Sequence, residues 1–322
     1  MADASNTLTA EARAALWRRM LAVAKHLRNE RPAPVAQPSF IAPIRQGSGG
    51  VPVYWIEPDL DEFKVGQLIA SNNPIYAVEA RLPSAWYEMA ARKESECIPS
   101  LEDIVAKYVA AIKAHTHSSR CVLGGHSFGG VVAFEAARQL AAFNVRTEMV
   151  LLFDAAAVYP RSHEAALQKL KEIWRPVAGT LPTKPTSDRL VSSLWILGWL
   201  LGLRWRHLRL KISALRRRPE RLVRLDDMGK AITWAPIQFL YDTAMNAYRL
   251  SPLDCRGVLF RAESRHANTG SRSLQVDLGW DGLFQKGLEI VPVPGHHMSM
   301  LRPPYANTLA RQMSLVLSRI SE

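Results

Sequence analysis

Arg120-Cys121-Val122-Leu123-Gly124-Gly125-His126-Ser127-Phe128-Gly129-Gly130-Val131-Val132-Ala133-Phe134-Glu135 is the stretch on which the fold turns. Arg120 to Gly124 is a short apolar run and reads as a buried strand, while Gly129 to Ala142 reads as a helix. Between them Gly125-His126-Ser127-Phe128-Gly129 matches G-x-S-x-G. A strand that turns directly into a helix leaves room only for small residues where the two backbones approach. Gly125 and Gly129 lack a Cβ and allow that approach, leaving Ser127 in a strained backbone with its hydroxyl above the sheet. The helix N-terminus just beyond favours developing negative charge. A serine held this way reads as a nucleophile; the plainer alternative is a Gly-rich turn with an exposed serine.

Working outward, Pro52 to Ile56, Ile75 to Glu79 and Met149 to Phe153 read as strands. Leu101, Ile104, Val105, Tyr108, Val109 and Ile112 mark one face of a helix, and Ser100 with Asp103 is an S-x-x-D start signal for it. Val258 to Ala262 and Glu289 to Val293 read as later strands, and Pro304 to Ser318 as a closing helix. Strands alternating with helices predict an α/β fold, a mostly parallel sheet with helices on both faces. Between Tyr159 and Leu250 the strand signal disappears, and the stretch reads as a helical insertion of about ninety residues, beyond ordinary loops. The layout is therefore one sheet domain over 39–322, interrupted by the helical insertion at about 160–250. Before it, residues 1–38 hold an amphipathic helix (Glu11 to Arg28) and a linker carrying Pro32, Pro34 and Pro38.

With 48% hydrophobic and 22% charged residues the chain is a globular protein, neither fibrous nor disordered. Its three cysteines, Cys97, Cys121 and Cys255, lie far apart without metal-ligand spacing, which points away from a disulfide framework or metal site. No apolar run has the length of a membrane span, the longest being Leu194 to Leu203, and the N-terminus does not read as a signal peptide. These features predict a cytoplasmic protein.

A serine hydroxyl needs a base. In α/β-hydrolases the partners follow in the order serine, acid, histidine. Of nine histidines, His296 and His297 sit in Pro294-Gly295-His296-His297, just after the last strand, where the loop can fold back over Ser127. Spacing alone does not choose between them. For the acid, Asp154 ends the strand Met149 to Phe153, at the edge where sites form in such sheets; Asp277 and Asp281 are its rivals.

Four segments, in order, resemble the type I thioesterase domains of nonribosomal peptide and polyketide synthases. Gly125-His126-Ser127-Phe128-Gly129-Gly130 followed by Ala133-Phe134-Glu135 resembles that family's G-x-S-x-G-G and A-[YF]-E. Leu151-Leu152-Phe153-Asp154 resembles its strand ending in the catalytic aspartate. Asp277-Leu278-Gly279-Trp280 resembles a late Gly-Trp element, and Gly295-His296-His297-Met298-Ser299-Met300-Leu301 resembles G-x-H-x-x-M-L. The resemblance covers roughly residues 40 to 320 and implies an α/β-hydrolase fold with a mobile helical lid. It selects Ser127, Asp154 and His297 as the catalytic residues. It implies no cofactor, because the substrate arrives as a thioester on the phosphopantetheine arm of a carrier protein, and an acyl-enzyme that water or an internal nucleophile resolves. The oxyanion would be held by the backbone N–H of Phe128 and by one from the loop after the first strand, that of Asp59. There the family often carries H-P-x-G-G, whereas this chain reads Glu57-Pro58-Asp59-Leu60-Asp61.

Arg204 to Arg224 contains nine Lys or Arg and one Glu, a net +8 of the chain's +12. Arg204, Arg206, Arg209, Lys211, Arg216, Arg217 and Arg218 are the candidates for docking an acidic acyl or peptidyl carrier protein, whose encounter a basic surface would steer. A solvated helix face or contact with a membrane surface is the alternative. Nucleic acid is not expected, since no recognition motif accompanies the charge. No Leu-Gly-Gly-x-Ser attachment site occurs in the chain, so a carrier is expected on another chain or an upstream part. The other functions considered are a carboxylesterase or acyltransferase using the same three residues, and a catalytically weak docking module.

Overall fold

The computed structural model describes residues 39–157, 222–264 and 276–320. Its strands are β1 (Phe40–Arg45), β2 (Val53–Ile56), β3 (Ile75–Glu79), β4 (Arg120–His126), β5 (Arg146–Phe153), β6 (Leu222–Leu225), β7 (Ala231–Thr233), β8 (Arg256–Ala262) and β9 (Leu288–Val293). Seven of them form one sheet in the order β1-β3-β2-β4-β5-β8-β9. Edge strand β1 runs antiparallel to β3, and the other neighbours pair in parallel. The helices are α1 (Leu60–Leu68), α2 (Ser84–Arg92), α3 (Leu101–His115), α4 (Phe128–Ala141), α5 (Trp234–Ala247) and α6 (Ala306–Leu317).

The central strands are apolar throughout because both their faces are covered. On one face Tyr54, Leu123, Val150, Leu152 and Leu259 pack with Ile104 and Tyr108 of α3, Val131 and Phe134 of α4 and Leu240 of α5. On the other face Trp55, Val122, Leu151, Phe153 and Phe260 pack with Val65 of α1 and Leu309 and Met313 of α6. Trp55 stacks on Phe153 with ring centroids 4.5 Å apart, and Phe153 on Phe260 at 5.3 Å. The first stack reaches across β4 at Gly124, which pairs with Trp55; a Cβ there would lie 3.2 Å from Leu151 Cβ and 3.4 Å from Phe153 Cε2. The fold is thus the sheet with helices on both faces that the alternation predicts. Ser100 caps α3 as its motif suggests, accepting the Asp103 N–H at 3.1 Å.

One correction falls in the stretch expected to be helical throughout. Its described end, from Leu222, opens with β6 and β7, which form a two-stranded sheet. These strands are too short to show an alternating pattern. Their turn is built locally: Asp226 Oδ1 accepts the N–H groups of Met228 (3.0 Å) and Lys230 (2.7 Å), and Gly229 takes φ 72°. Only α5 carries the expected helix there. The rest of the expected lid, the helix over Glu11 to Arg28, the linker and the basic residues Arg204, Arg206, Arg209, Lys211, Arg216, Arg217 and Arg218 lie outside the described residues. Among the described residues no helix is long and apolar enough to cross a membrane.

Candidate active site

Ser127 stands between β4 and α4 with φ 53° and ψ −119°. Its N–H donates to Phe153 O at 3.0 Å, which ties the turn to β5. The turn depends on Gly125: a Cβ on it would sit 2.3 Å from the backbone carbon and oxygen of Gly129. Two neighbouring strands end in the same unusual way, Glu57 after β2 with φ 49° and Asp154 after β5 with φ 46°. Such backbones cost about 1–3 kcal/mol each and persist where the surroundings hold them. Three of them therefore line the carboxyl ends of adjacent strands, the edge where α/β sheets bind ligands.

Asp154 and His297 meet at that edge. His297 Nδ1 lies 2.9 Å from Asp154 Oδ2. The carboxylate can only accept, so the ring donates from Nδ1, which in the neutral imidazole makes Nε2 the acceptor. Burial pushes the Asp154 carboxyl up, but hydrogen bonds from His297, the Ala262 N–H and Arg261 outweigh it and leave the group below the usual carboxylate range. His126, immediately before Ser127, holds the His297 loop in place. Its Nε2 donates to His297 O at 2.9 Å, and the two rings lie 4.4 Å apart. Burial, then the neighbouring His297, push the His126 imidazole down to about 4, so it is a neutral strut at pH 7. No hydrogen bond joins Ser127 Oγ to His297 Nε2 among the described residues; contacts of this kind often tighten only when substrate binds.

The rival residues are engaged elsewhere. Asp277 shapes a turn, accepting N–H groups from Gly279 at 3.2 Å and Asp281 at 3.1 Å. Asp281 is exposed. His296 Nδ1 accepts the Met298 N–H at 3.3 Å. The late Gly-Trp element has a packing role: Trp280 is fully buried and donates its indole N–H to Ala155 O at 2.8 Å, bracing the segment just after Asp154. Glu135 of the A-F-E segment is also fully buried and ties α4 to the end of α5, accepting Tyr248 OH at 2.6 Å.

The loop after β2 corrects one expectation. Asp59 is the N-cap of α1, and its N–H donates to Glu62 Oε2 at 2.7 Å within a capping box. That donor is spent on the helix and is not available to an oxyanion while the box stands. The Glu57 N–H is likewise given to Val78 O at 2.9 Å, and Pro58 has none. Phe128, first residue of α4, supplies an N–H at a helix N-terminus, where no intrahelical acceptor exists.

The acidic side chains of this loop are all partnered. Asp59 Oδ1 accepts the N–H groups of Asp61 (2.8 Å) and Glu62 (2.9 Å). Asp61 Oδ2 pairs with Arg302 Nε at 2.5 Å. Glu57, partly buried, pairs with Arg224 of β6 and accepts the Tyr108 hydroxyl. Arg224 Nη1 also donates to Tyr241 OH at 2.7 Å, and the Tyr241 ring packs 4.1 Å from that of Phe128. Sequence reasoning missed Arg224, Tyr108, Tyr241 and Arg261, whose guanidinium lies 2.9 Å from Asp154 Oδ1. The available signal was a lone arginine in the apolar strand Gly257-Val258-Leu259-Phe260-Arg261-Ala262.

Residues 76–195 match the family described as Thioesterase domain. This segment is similar to the thioesterase domains. Over 118 residues (35% of the chain, 12% of the relative) it is 25% identical to inactive atromentin synthetase invA4 of Paxillus involutus. Over 117 residues (36% of the chain, 4% of the relative) it is 24% identical to polyketide synthase PksR of Bacillus subtilis (strain 168). The chain thus spans a small fraction of the length of these curated relatives. Among solved structures, a four-domain nonribosomal peptide synthetase, holo-AB3403, aligns with TM-score 0.54 and 18% identity, covering 91% of the chain and 21% of that one. The Vlm2 thioesterase domain bound with a dodecadepsipeptide aligns with TM-score 0.50 and 18% identity, covering 87% and 97%. Both likenesses are of fold: the chain has the α/β-hydrolase architecture.

Proposed function

We propose that the chain releases an acyl, peptidyl or polyketide chain from the phosphopantetheine thioester of a carrier protein, with Ser127 as nucleophile, His297 as base and Asp154 as the acid that orients it. The observation that carries this reading is the His297 Nδ1 to Asp154 Oδ2 contact at 2.9 Å, on a loop strapped to His126 beside the strained Ser127. Nε2 takes the Ser127 proton as Oγ attacks the thioester carbon. The C–S bond breaks, the sulfur leaves with the proton from His297, and an ester remains on Ser127. Water or a nucleophile within the chain then gives its proton to His297 as it attacks the ester carbon, and the C–O bond breaks as Ser127 Oγ takes that proton from His297, by hydrolysis or ring closure. Asp154 stays ionised and stabilises the imidazolium at each stage. The Phe128 N–H at the start of α4 faces the developing oxyanion. The chemistry calls for no cofactor or metal on this chain. The family match and the synthase context of the relatives support a carrier protein as partner, on another chain or an upstream part, met by the basic residues Arg204 to Arg218.

Ser127→Ala tests the proposal. It should abolish release from an acyl-loaded carrier protein and labelling by a fluorophosphonate; unaltered release would refute it. Comparing thioesters with oxygen esters of the same acyl group separates a thioesterase from a general esterase or acyltransferase. A wild-type protein that takes no fluorophosphonate on Ser127 would be a docking module.

A further inference from the structure

Asp154 has a second charged partner. While Oδ2 faces His297, Oδ1 accepts from Arg261 Nη1 at 2.9 Å and from the Ala262 N–H at 3.1 Å. Arg261 lies near the end of β8, and its side chain is only 14% exposed, that of Asp154 9%. A guanidinium that follows the apolar run Val258 to Phe260 and is largely shielded from water loses hydration and must recover it from fixed partners. Here one of those partners is the carboxylate opposite the nucleophile turn.

Two consequences follow from the geometry. Asp154 itself has a positive φ, and hydrogen bonds to both of its oxygens fix the plane of its carboxylate. Arg261 and the Ala262 N–H pin one oxygen so that the other points at His297. Arg261 also places a permanent positive charge on the far side of the carboxylate. The imidazolium that forms during reaction then meets a carboxylate whose charge is partly answered. Among the described residues, the charged and titratable groups around the His297 ring include Asp154 after β5, Arg261 of β8 through that carboxylate, and His126 at the end of β4, which is neutral at working pH.

We propose that Arg261 is a positioning residue of the site, which orients Asp154 toward His297 and sets the acidic edge of the pH range in which His297 serves as base. This rests on the assignment of Ser127, Asp154 and His297 above. An uncharged residue at 261 leaves the full carboxylate charge to His297, which then holds its proton to higher pH. The same change frees the carboxylate to rotate, which slows the proton transfer itself.

The experiment is the pH dependence of kcat and kcat/KM for an acyl N-acetylcysteamine thioester, pH 5 to 9, with the wild type, Arg261→Met and Arg261→Lys, each shown to be folded by its melting transition. Arg261→Met should lower kcat by about tenfold to a hundredfold with little change in KM, and move the acid limb up by about one pH unit. Arg261→Lys keeps the charge; its acid limb should stay with the wild type, and part of the rate should return. An Arg261→Met limb that coincides with the wild type, or an Arg261→Lys limb that shifts as far as that of Arg261→Met, would overturn the assignment. The two levels of the argument fail differently. A wild type that neither turns over the thioester nor takes a fluorophosphonate on Ser127 refutes the hydrolase reading, whereas an active wild type with an unmoved Arg261→Met limb refutes only the role of Arg261.

Discussion

Replacing Arg224 with methionine should cost the fold far more than an exposed arginine would. The Glu57 side chain is 8% exposed and that of Arg224 13%, so the pair is largely shielded from water. Removing one partner of a buried pair leaves a charge without compensation, at about 3–5 kcal/mol. Glu57 keeps the Tyr108 hydroxyl, which places the loss toward the lower end, about 3 kcal/mol. With about 2 °C per kcal/mol for a domain of this size, the melting temperature should fall by about 6 °C. Glu57→Gln together with Arg224→Met removes the stranded charge and should recover more than half of that loss. The four proteins of this cycle, melted at one concentration and pH, give the coupling directly. Arg224→Met melting within 1–2 °C of the wild type, or a double variant whose loss is the sum of the single losses, would refute the reasoning. The cycle also reads on the site: Tyr241, bound by Arg224, backs the ring of Phe128, so acylation of Ser127 should slow in Arg224→Met.

Two further outcomes follow from the same loop and turn. Burial raises the Glu62 carboxyl to about 8, so between about 4.5 and 8 the folded chain holds a proton that the unfolded chain has lost. Stability should therefore fall as pH rises through that window, and the fall should be absent in Glu62→Gln; equal pH slopes of melting temperature in the two proteins would contradict this. Gly125→Ala places a methyl 2.3 Å from the Gly129 backbone and should destabilise the fold by more than about 3 kcal/mol or abolish soluble expression, whereas a well-folded variant would show that the turn can open.

The elbow was legible because it is local: an apolar run, small residues where two backbones meet, and a helical pattern are all written in consecutive residues. The same holds for the cores of β2, β3, β4, β5, β8 and β9 and for the cap at Ser100. Strands β6 and β7 were not legible, since four and three residues are too few for a period to emerge. Asp154 and His297 could be named from strand ends and a family resemblance, but their approach across 143 positions of sequence is a tertiary event. The acidic loop from Glu57 to Asp61 misled in detail. It offered the Asp59 N–H to an oxyanion, yet that N–H is spent on the helix cap, and the acidic side chains are each taken up by a partner, two of them far away in sequence, Arg224 and Arg302.

Sequence alone therefore determined the class of sheet and the tight strand-to-helix turn that carries Ser127, because turn sterics and periodicity act between neighbours in the chain. Only the tertiary structure decided which histidine nitrogen faces the carboxylate, that the Asp59 N–H belongs to a helix cap, and that Arg261 and Arg224 stand behind Asp154 and Glu57. Those outcomes depend on which strand ends lie side by side, and in a parallel sheet that order is set by crossovers between distant segments rather than by any local pattern.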